Sequence, residues 1–369
     1  MIYPLLPAFL TGTLRAGPAF LGMVEGLAET VAAVLKILSG GASDRLRRRK
    51  PLVVAGYSLS SAVRPLVALA TVPAHVLAVR VVDRVGKGVR SAPRDALVAE
   101  VVPQEDRGRA FGFQRAMDHA GAMVGPLLAS AVLLATSELR VVFALAAIPA
   151  ALAVATLVLG VREERRSCGP APQRASPRSG PLEPALLRYL GVLAVFTLGN
   201  SSDAFLLLRA QETGISLAAV PAVWALHHLV KAGASTWGGS LSDRVGRRRV
   251  ILGGWGVYAL AYAGFAAASS ALAIVALFAF YGLYHALTEG TERALVADLA
   301  GEATRGRAFG LFHAVTGAAL LPASLLTGLL WQRFGAPVAL GAGAALAAVA
   351  ALGLLAFVPA RAPAIERSS

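Results

Sequence analysis

Sulfur and charge are what this sequence has least of. One of its 369 residues is cysteine, Cys168, and 15% are charged, where a soluble domain carries about 25%. A single thiol excludes disulfides, zinc and iron–sulfur sites; no metal site and no cofactor are expected. No nucleophile–base spacing or metal-ligand cluster appears along the chain, so no enzyme is expected either.

What is abundant is apolar. Hydrophobic residues make up 56% of the chain and the mean hydropathy is +0.64. Glycine and proline are scattered through the apolar runs, as in membrane helices. A hydrocarbon layer of about 30 Å takes about 20 helical residues to cross. Runs of that order lie at 17–39, 51–72, 74–100, 108–135, 138–160, 185–208, 217–238, 249–270, 271–297, 307–332 and 336–358, and one from Met1 to about Leu10 is too short to cross. Inside lipid each must satisfy its own backbone, so all are predicted to be helices. The chain is read as an all-α integral membrane protein.

The net charge of +14 is a matter of topology. Arg45, Arg47, Arg48, Arg49 and Lys50 share one side with Arg107 and Arg109, the arginines of 162–178, Arg244 and Arg247 to Arg249, Arg305 and Arg307, and Arg361 and Arg367. The alternate links hold Arg15, Arg140, Arg209 and Arg333. The positive-inside rule places the first set, with both termini, in the cytoplasm. Cations spread over many short loops make no nucleic-acid footprint, and no nucleic-acid partner is expected. The polar stretch "VREERRSCGPAPQRASPRSGPLEP" at 161–184 reads as a cytoplasmic linker between bundles at 1–160 and 185–358, with a tail at 359–369. A membrane-impermeant thiol reagent is accordingly expected to leave Cys168 unlabelled in intact cells and to label it in inside-out vesicles; labelling from outside would overturn the topology.

The two bundles repeat. "RGRAFG" stands at 107–112 and again at 305–310; "RDALVAE" at 94–100 answers "ERALVAD" at 292–298; Ser-Asp-Arg occurs at 43–45 and 242–244. Three signatures in one order predict two pseudo-symmetric six-helix bundles. "SSDAFLLLRA" at 201–210 mirrors the start of the chain, with Ala204 opposite Met1, so the first helix is expected to be incomplete.

Two six-helix halves, a basic linker and a Gly-x-x-x-Asp-Arg loop after the second helix of each half resemble the major facilitator superfamily, a repeat-built transporter fold. The family's loop motif is matched throughout by Gly239, Leu241, Ser242, Asp243, Arg244, Gly246, Arg247 and Arg248, and in part by Gly40, Ser43, Asp44, Arg45 and Arg48, with Ala42 and Arg47 departing from it. The resemblance implies that these loops gate the cytoplasmic mouth, Asp44 beside the start of the eleventh helix and Asp243 beside that of the fifth. The family's antiporter signature is similar to Gly112, Gly121, Gly125 and Pro126, with Ala129 and Ser130 in place of its last two glycines. Gly121 and Gly125, one turn apart, would let a neighbouring helix approach, and Pro126 would permit a kink. Arg80 fits the family's fourth-helix arginine. The resemblance also implies that helices one, four, seven and ten line the pathway.

Charges at mid-membrane cost about 2.5–3.5 kcal/mol or more, so they should face water or a partner. On the fourth helix Arg80, Asp83, Arg84, Lys87 and Arg94 are predicted to form one stripe, with Asp83 reaching Arg80 and Lys87. Glu25, Glu29 and Lys36 share a face of the second helix; Arg115, Asp118 and His119 cluster on the fifth; His227 and His228 precede Lys231 on the eighth. On the tenth, Tyr281, Tyr284, His285, Thr288 and Glu292 make a stripe with Glu289 beside it, and Asp203 stands on the seventh. A cationic stripe facing a His/Glu/Tyr stripe suggests a charged lock across the pathway or a site for an amphiphilic substrate. The acids Glu29, Asp83 and Asp118 are candidates to carry protons. The reading is a proton-coupled efflux antiporter of small molecules, monomeric, in a bacterial inner membrane. A symporter, a metabolite exporter or a transport-inactive sensor or partner subunit stands as the alternative.

Overall fold

The computed structural model describes residues 2–45, 49–101, 107–161, 182–300 and 305–359. Its elements are helical, with no strand among the described residues. Twelve segments follow in order: α1 (3–13), α2 (Pro18–Arg45), α3 (Lys50–Leu69), α4 (Pro73–Val101), α5 (Arg107–Thr136), α6 (Leu139–Gly160), α7 (Pro184–Glu212), α8 (Val220–Val245), α9 (Arg247–Ala267), α10 (Ala271–Leu299), α11 (Arg305–Phe334) and α12 (Ala336–Phe357). Nine helices among the described residues are long and apolar enough to cross a membrane. Helices α4 and α8 have the length but not the apolarity; α4 carries the ions singled out above.

Local chemistry sets the boundaries. Proline occupies the first turn of α3, α8 and α12, where its missing N–H costs nothing. Gly246 and Gly335 make the turns between α8 and α9 and between α11 and α12 at φ 99° and 85°, conformations open to glycine. This gives the glycine of the second loop motif a physical reason. Pro65 lies where α3 tightens into a 3-10 turn over Arg64–Leu69. Pro126 stays inside an unbroken α5.

Within the first half α4 packs between α2 and α3; within the second α10 packs between α8 and α9, and α7 lies against α11 and α12. The halves meet along α2–α11 and α5–α8, pairs that exchange under the repeat. The α2–α11 seam is built from small residues. A side chain at Gly26 would stand 2.8 Å from the Leu321 Cα, one at Gly317 2.7 Å from the Ala33 Cβ, and one at Gly328 2.6 Å from the Pro18 carbonyl. Close backbone approach of this kind holds helices together where lipid leaves no hydrophobic drive.

Two of the four arginines on the alternate links stabilise helix ends. Arg140 donates to the carbonyls of Ala68 and Ala70 at the end of α3, at 2.5 and 2.8 Å, and Arg209 to those of Phe265 and Ala268 at the end of α9, at 3.1 and 2.8 Å. Each guanidinium satisfies unpaired C-terminal carbonyls and sits at the negative end of a helix dipole.

Three spans differ from the sequence reading: the second, read over 17–39, runs to Arg45 and takes the first loop motif into the helix. The seventh is broken at 200–203, between Pro184–Gly199 and Ala204–Glu212. The run over 185–208 is apolar on average, but the serine, asparagine and aspartate of its Asn-Ser-Ser-Asp stretch compete for backbone hydrogen bonds. The eighth starts at Val220 and extends to Val245, carrying the loop motif into the helix. The first segment, over 3–13, is too short to cross. Most of the 161–184 linker lies outside the described residues.

Candidate functional site

The ions of α4 do not form one stripe, because α4 is wedged between two helices. Arg80, Arg84 and Lys87 turn toward α2. Asp83 and Arg90 turn toward α3, and Arg94 reaches α3 and α5. Arg80 forks onto Glu25 with hydrogen bonds of 2.7, 2.7 and 3.1 Å, both groups buried. Arg84 pairs with Glu29 at 2.9 Å, and Lys87 joins the same carboxylate at 3.5 Å. Asp83 is taken by Arg64 of α3 at 2.8 Å, with Arg80 at 3.7 Å; the predicted pairing with Lys87 does not form. Arg90 donates to Ser60 at 2.7 Å and lies over the Tyr57 ring at 4.3 Å. Arg94 meets the Tyr57 hydroxyl at 3.3 Å and Asp118 at 3.6 Å.

These pairs separate into two kinds. Glu25 and Asp83 are sealed, with side chains 2% and 3% exposed, whereas Glu29 is 31% exposed. Replacing Asp83 by Asn should cost about 2 kcal/mol, the loss of charge-assisted bonds, because Arg80 keeps Glu25 and the half-exposed Arg64 can rehydrate. A melting curve of purified protein checks this; a melt equal to the wild type would show that the pair contributes nothing to folding.

In the second half Lys231 meets Glu289 at 2.5 Å, and His285 Nδ1 lies 3.6 Å from the same carboxylate. Glu292 accepts from the Trp255 indole at 3.0 Å. Asn200 donates to the Tyr284 hydroxyl at 3.1 Å, and Tyr281 donates to Asp203 at 2.8 Å. Tyr258 donates to the Gly199 carbonyl at 2.8 Å, satisfying a backbone group freed where α7 breaks. Phe196, Trp255, Tyr258, Tyr262, Tyr281 and Tyr284 form a contiguous aromatic wall, Phe196 and Trp255 stacking at 4.4 Å.

The described ion pairs of α4 close within the first half and those of α10 within the second, so they do not make the expected lock between the two helices. The link runs through Tyr3. The Arg80 guanidinium lies 5.7 Å from its ring centre, Trp224 packs at 5.3 Å, and its hydroxyl is 3.4 Å from Ser202. His119 of α5 and His228 of α8 also meet across the halves, rings 5.7 Å apart. A cavity of about 540 Å³ lies beside Tyr3, lined by Arg64, Arg80, Asp83, Gly121, Gly125 and Ala150 among others. Gly121 thus fronts open space: a side chain there would meet nothing within 4 Å. The close helix approach expected of it occurs instead at the α2–α11 seam.

Of the loop signatures, Gly40, Asp44, Arg45 and Asp243 are described in backbone only, as are Gly112 and Arg115. Arg244 is exposed. Arg247 reaches Asp298 of α10 at 3.4 Å and Ser242 at 2.5 Å, and Ser242 donates to the Gly239 carbonyl at 2.8 Å. Tyr3, Arg64 and Asn200 escaped the sequence reading. Tyr3 and Arg64 are single polar residues in apolar runs and Asn200 opens the polar run at 200–203, and only the fold gives each its partner.

Two repeated helical bundles meeting along α2–α11 and α5–α8, with ions and aromatics on the central helices, define a transporter-type membrane protein. The model of the Major Facilitator Superfamily matches residues 1–226 and 189–369, and the chain belongs to that family. It is 35% identical over 339 residues to an uncharacterized MFS-type transporter of Methanocaldococcus jannaschii, covering 90% of this chain and 84% of that one. It is 32% identical to Multidrug resistance protein MdtH of Cronobacter sakazakii over 130 residues, 35% of this chain and 32% of that one. Among solved structures, the nucleoside transporter NupG superposes with a TM-score of 0.76 at 15% identity, covering 96% and 94% of the two chains. A bacterial homolog of the human lysosomal transporter Spinster, inward-facing and unoccupied, gives 0.71 at 16%, covering 96% and 88%. Family and fold are those of transporters, in a multi-span membrane protein.

Proposed function

We propose that this chain is a proton-coupled efflux antiporter for small amphiphilic molecules, working by alternating access between its two halves in a bacterial cytoplasmic membrane, with the linker and termini cytoplasmic. The observation that carries this reading is the pair of partly open acids, each with two partners: Glu29 is shared by the cations Arg84 and Lys87, and Glu289 is held by Lys231 with the His285 imidazole 3.6 Å away. A coupling acid must be reached by water and must change partners, and a shared carboxylate with 31% or 45% of its side chain exposed meets both demands. The Glu25 pair meets neither demand, and Asp83, though two arginines lie beside it, is 3% exposed and fails the first. Charges kept at such depth at the cost of their insertion mark function. The part-length likeness to a multidrug resistance protein and the Gly121–Gly125–Pro126 run support efflux. An arginine-rich wall facing an aromatic and histidine wall suits a substrate with a polar and an apolar end. One chain carries both halves, so a monomer suffices. Asp44 and Asp243 act in this reading as latches at the cytoplasmic rim, where a carboxylate near a helix N-terminus gains about 0.3–1 kcal/mol.

The test is in inside-out vesicles acidified in the lumen and loaded with a pH-sensitive dye. Addition of a transported amphiphile should raise the luminal pH as protons leave in exchange. Proton movement in the same direction as the substrate would establish the symporter instead.

A further inference from the structure

The fold brings together three residues that the sequence keeps far apart and that the transport reading does not require as a set. Asp203 at the break in α7, His227 on α8 and His285 on α10 each offer one ligand atom, all within 4.8 Å of one another. Among the described residues this is the one such group of three. The cysteine count argued against metal, but these donors are imidazoles and a carboxylate converging from three helices.

The His227 ring is anchored as a metal-bound imidazole is, and the His285 ring faces a carboxylate. His227 is 1% exposed, and its Nδ1 lies 3.2 Å from the Phe278 carbonyl. A carbonyl only accepts, so Nδ1 carries the hydrogen and Nε2 keeps its lone pair. His285 presents Nδ1 to Glu289 at 3.6 Å, while its Nε2 is buried without a hydrogen-bond partner. An imidazole held at one nitrogen by a carbonyl keeps the lone pair of the other for a ligand, the arrangement that orients histidine ligands, and in His285 the unpartnered Nε2 is likewise available. Asp203 is held in turn by the Tyr281 hydroxyl at 2.8 Å.

We propose that Asp203, His227 and His285 form a binding site for a divalent transition-metal ion of the Zn²⁺ type, with the fourth position open. Two nitrogens and one carboxylate oxygen suit Zn²⁺, Co²⁺ or Ni²⁺, and are too few and too soft for Ca²⁺ or Mg²⁺. Ligands at about 2.0–2.1 Å from a tetrahedral ion lie about 3.4 Å apart, so the three draw inward on binding. The proposal is independent of substrate and coupling, because binding is read on purified protein without a gradient.

The test uses the full chain in detergent, any purification tag removed, titrated with Co²⁺. One equivalent should bind with visible d–d absorption and be displaced by Zn²⁺. The absorption should vanish in His227→Gln, His285→Gln and Asp203→Asn and persist in His75→Gln and His313→Gln. Zn²⁺ should raise the melting temperature of the wild type and leave that of the three site variants unchanged, which separates loss of the site from misfolding. No saturable binding by the wild type, or binding retained in both His227→Gln and Asp203→Asn, would overturn the site.

Discussion

Replacing Arg80 by Gln is expected to lower stability by about 3–5 kcal/mol, the cost of stranding one member of a buried ion pair. Arg80 and Glu25 are 8% and 2% exposed, and the guanidinium meets both carboxylate oxygens at 2.7 Å. Without Arg80 the described structure leaves Glu25 a buried anion with no cation in place. The same change removes the second cation beside Asp83, at 3.7 Å. The double variant Arg80→Gln, Glu25→Gln should recover much of the loss, because two neutral amides can hydrogen-bond to each other. Arg80→Lys should fall between, since an ammonium is a point charge that cannot reproduce the fork. Melting temperatures of the three variants in detergent decide the matter; a double variant as unstable as Arg80→Gln would mean that side-chain packing, not the ion pair, is what Arg80 supplies.

Glu29→Gln is expected to do the opposite. Its melting temperature should fall by far less than that of Arg80→Gln, because Glu29 is 31% and Lys87 32% exposed and hydration offsets that pair, while the amide introduced by the substitution can still accept a hydrogen bond from Arg84, which is 11% exposed. Transport driven by an imposed pH gradient should fall by tenfold or more, about 1.4 kcal/mol in the effective barrier, while gradient-free exchange of substrate persists. Wild-type coupling in Glu29→Gln would remove this acid from the proton path and leave Glu289 as the candidate; loss of exchange along with coupling would make Glu29 a substrate contact.

Much of the architecture was legible because lipid narrows the choices. A run such as 336–358 can only be a helix of spanning length in that solvent, and α12 occupies Ala336–Phe357. Verbatim repeats such as RGRAFG exposed the two halves. Arginine placement, together with the alternation of the spans, gave a predicted side for every loop. Departures arose where a few polar atoms outweigh an apolar average, as at Asn200 to Asp203.

The site was legible as an inventory and not as a set of partners. Charge at depth marked Glu29, Arg80, Asp83 and Glu289, since an ion in hydrocarbon needs a reason to be there. Which ion meets which depends on the rotation of α4 between α2 and α3, a property of packing surfaces distributed over three helices. So Asp83 goes to Arg64 and Lys87 to Glu29, although helical spacing alone joined Asp83 to Lys87. The convergence of Asp203, His227 and His285 has the same origin. Helical periodicity relates residues along one helix, and coordination relates residues between helices. By itself the sequence determined membrane residence, helix number and the twofold repeat, because these follow from local hydropathy and identity. The tertiary structure decided the ion partners, the small-residue seam between α2 and α11 and the three-ligand cluster, because each depends on the distance and rotation between helices far apart in the chain.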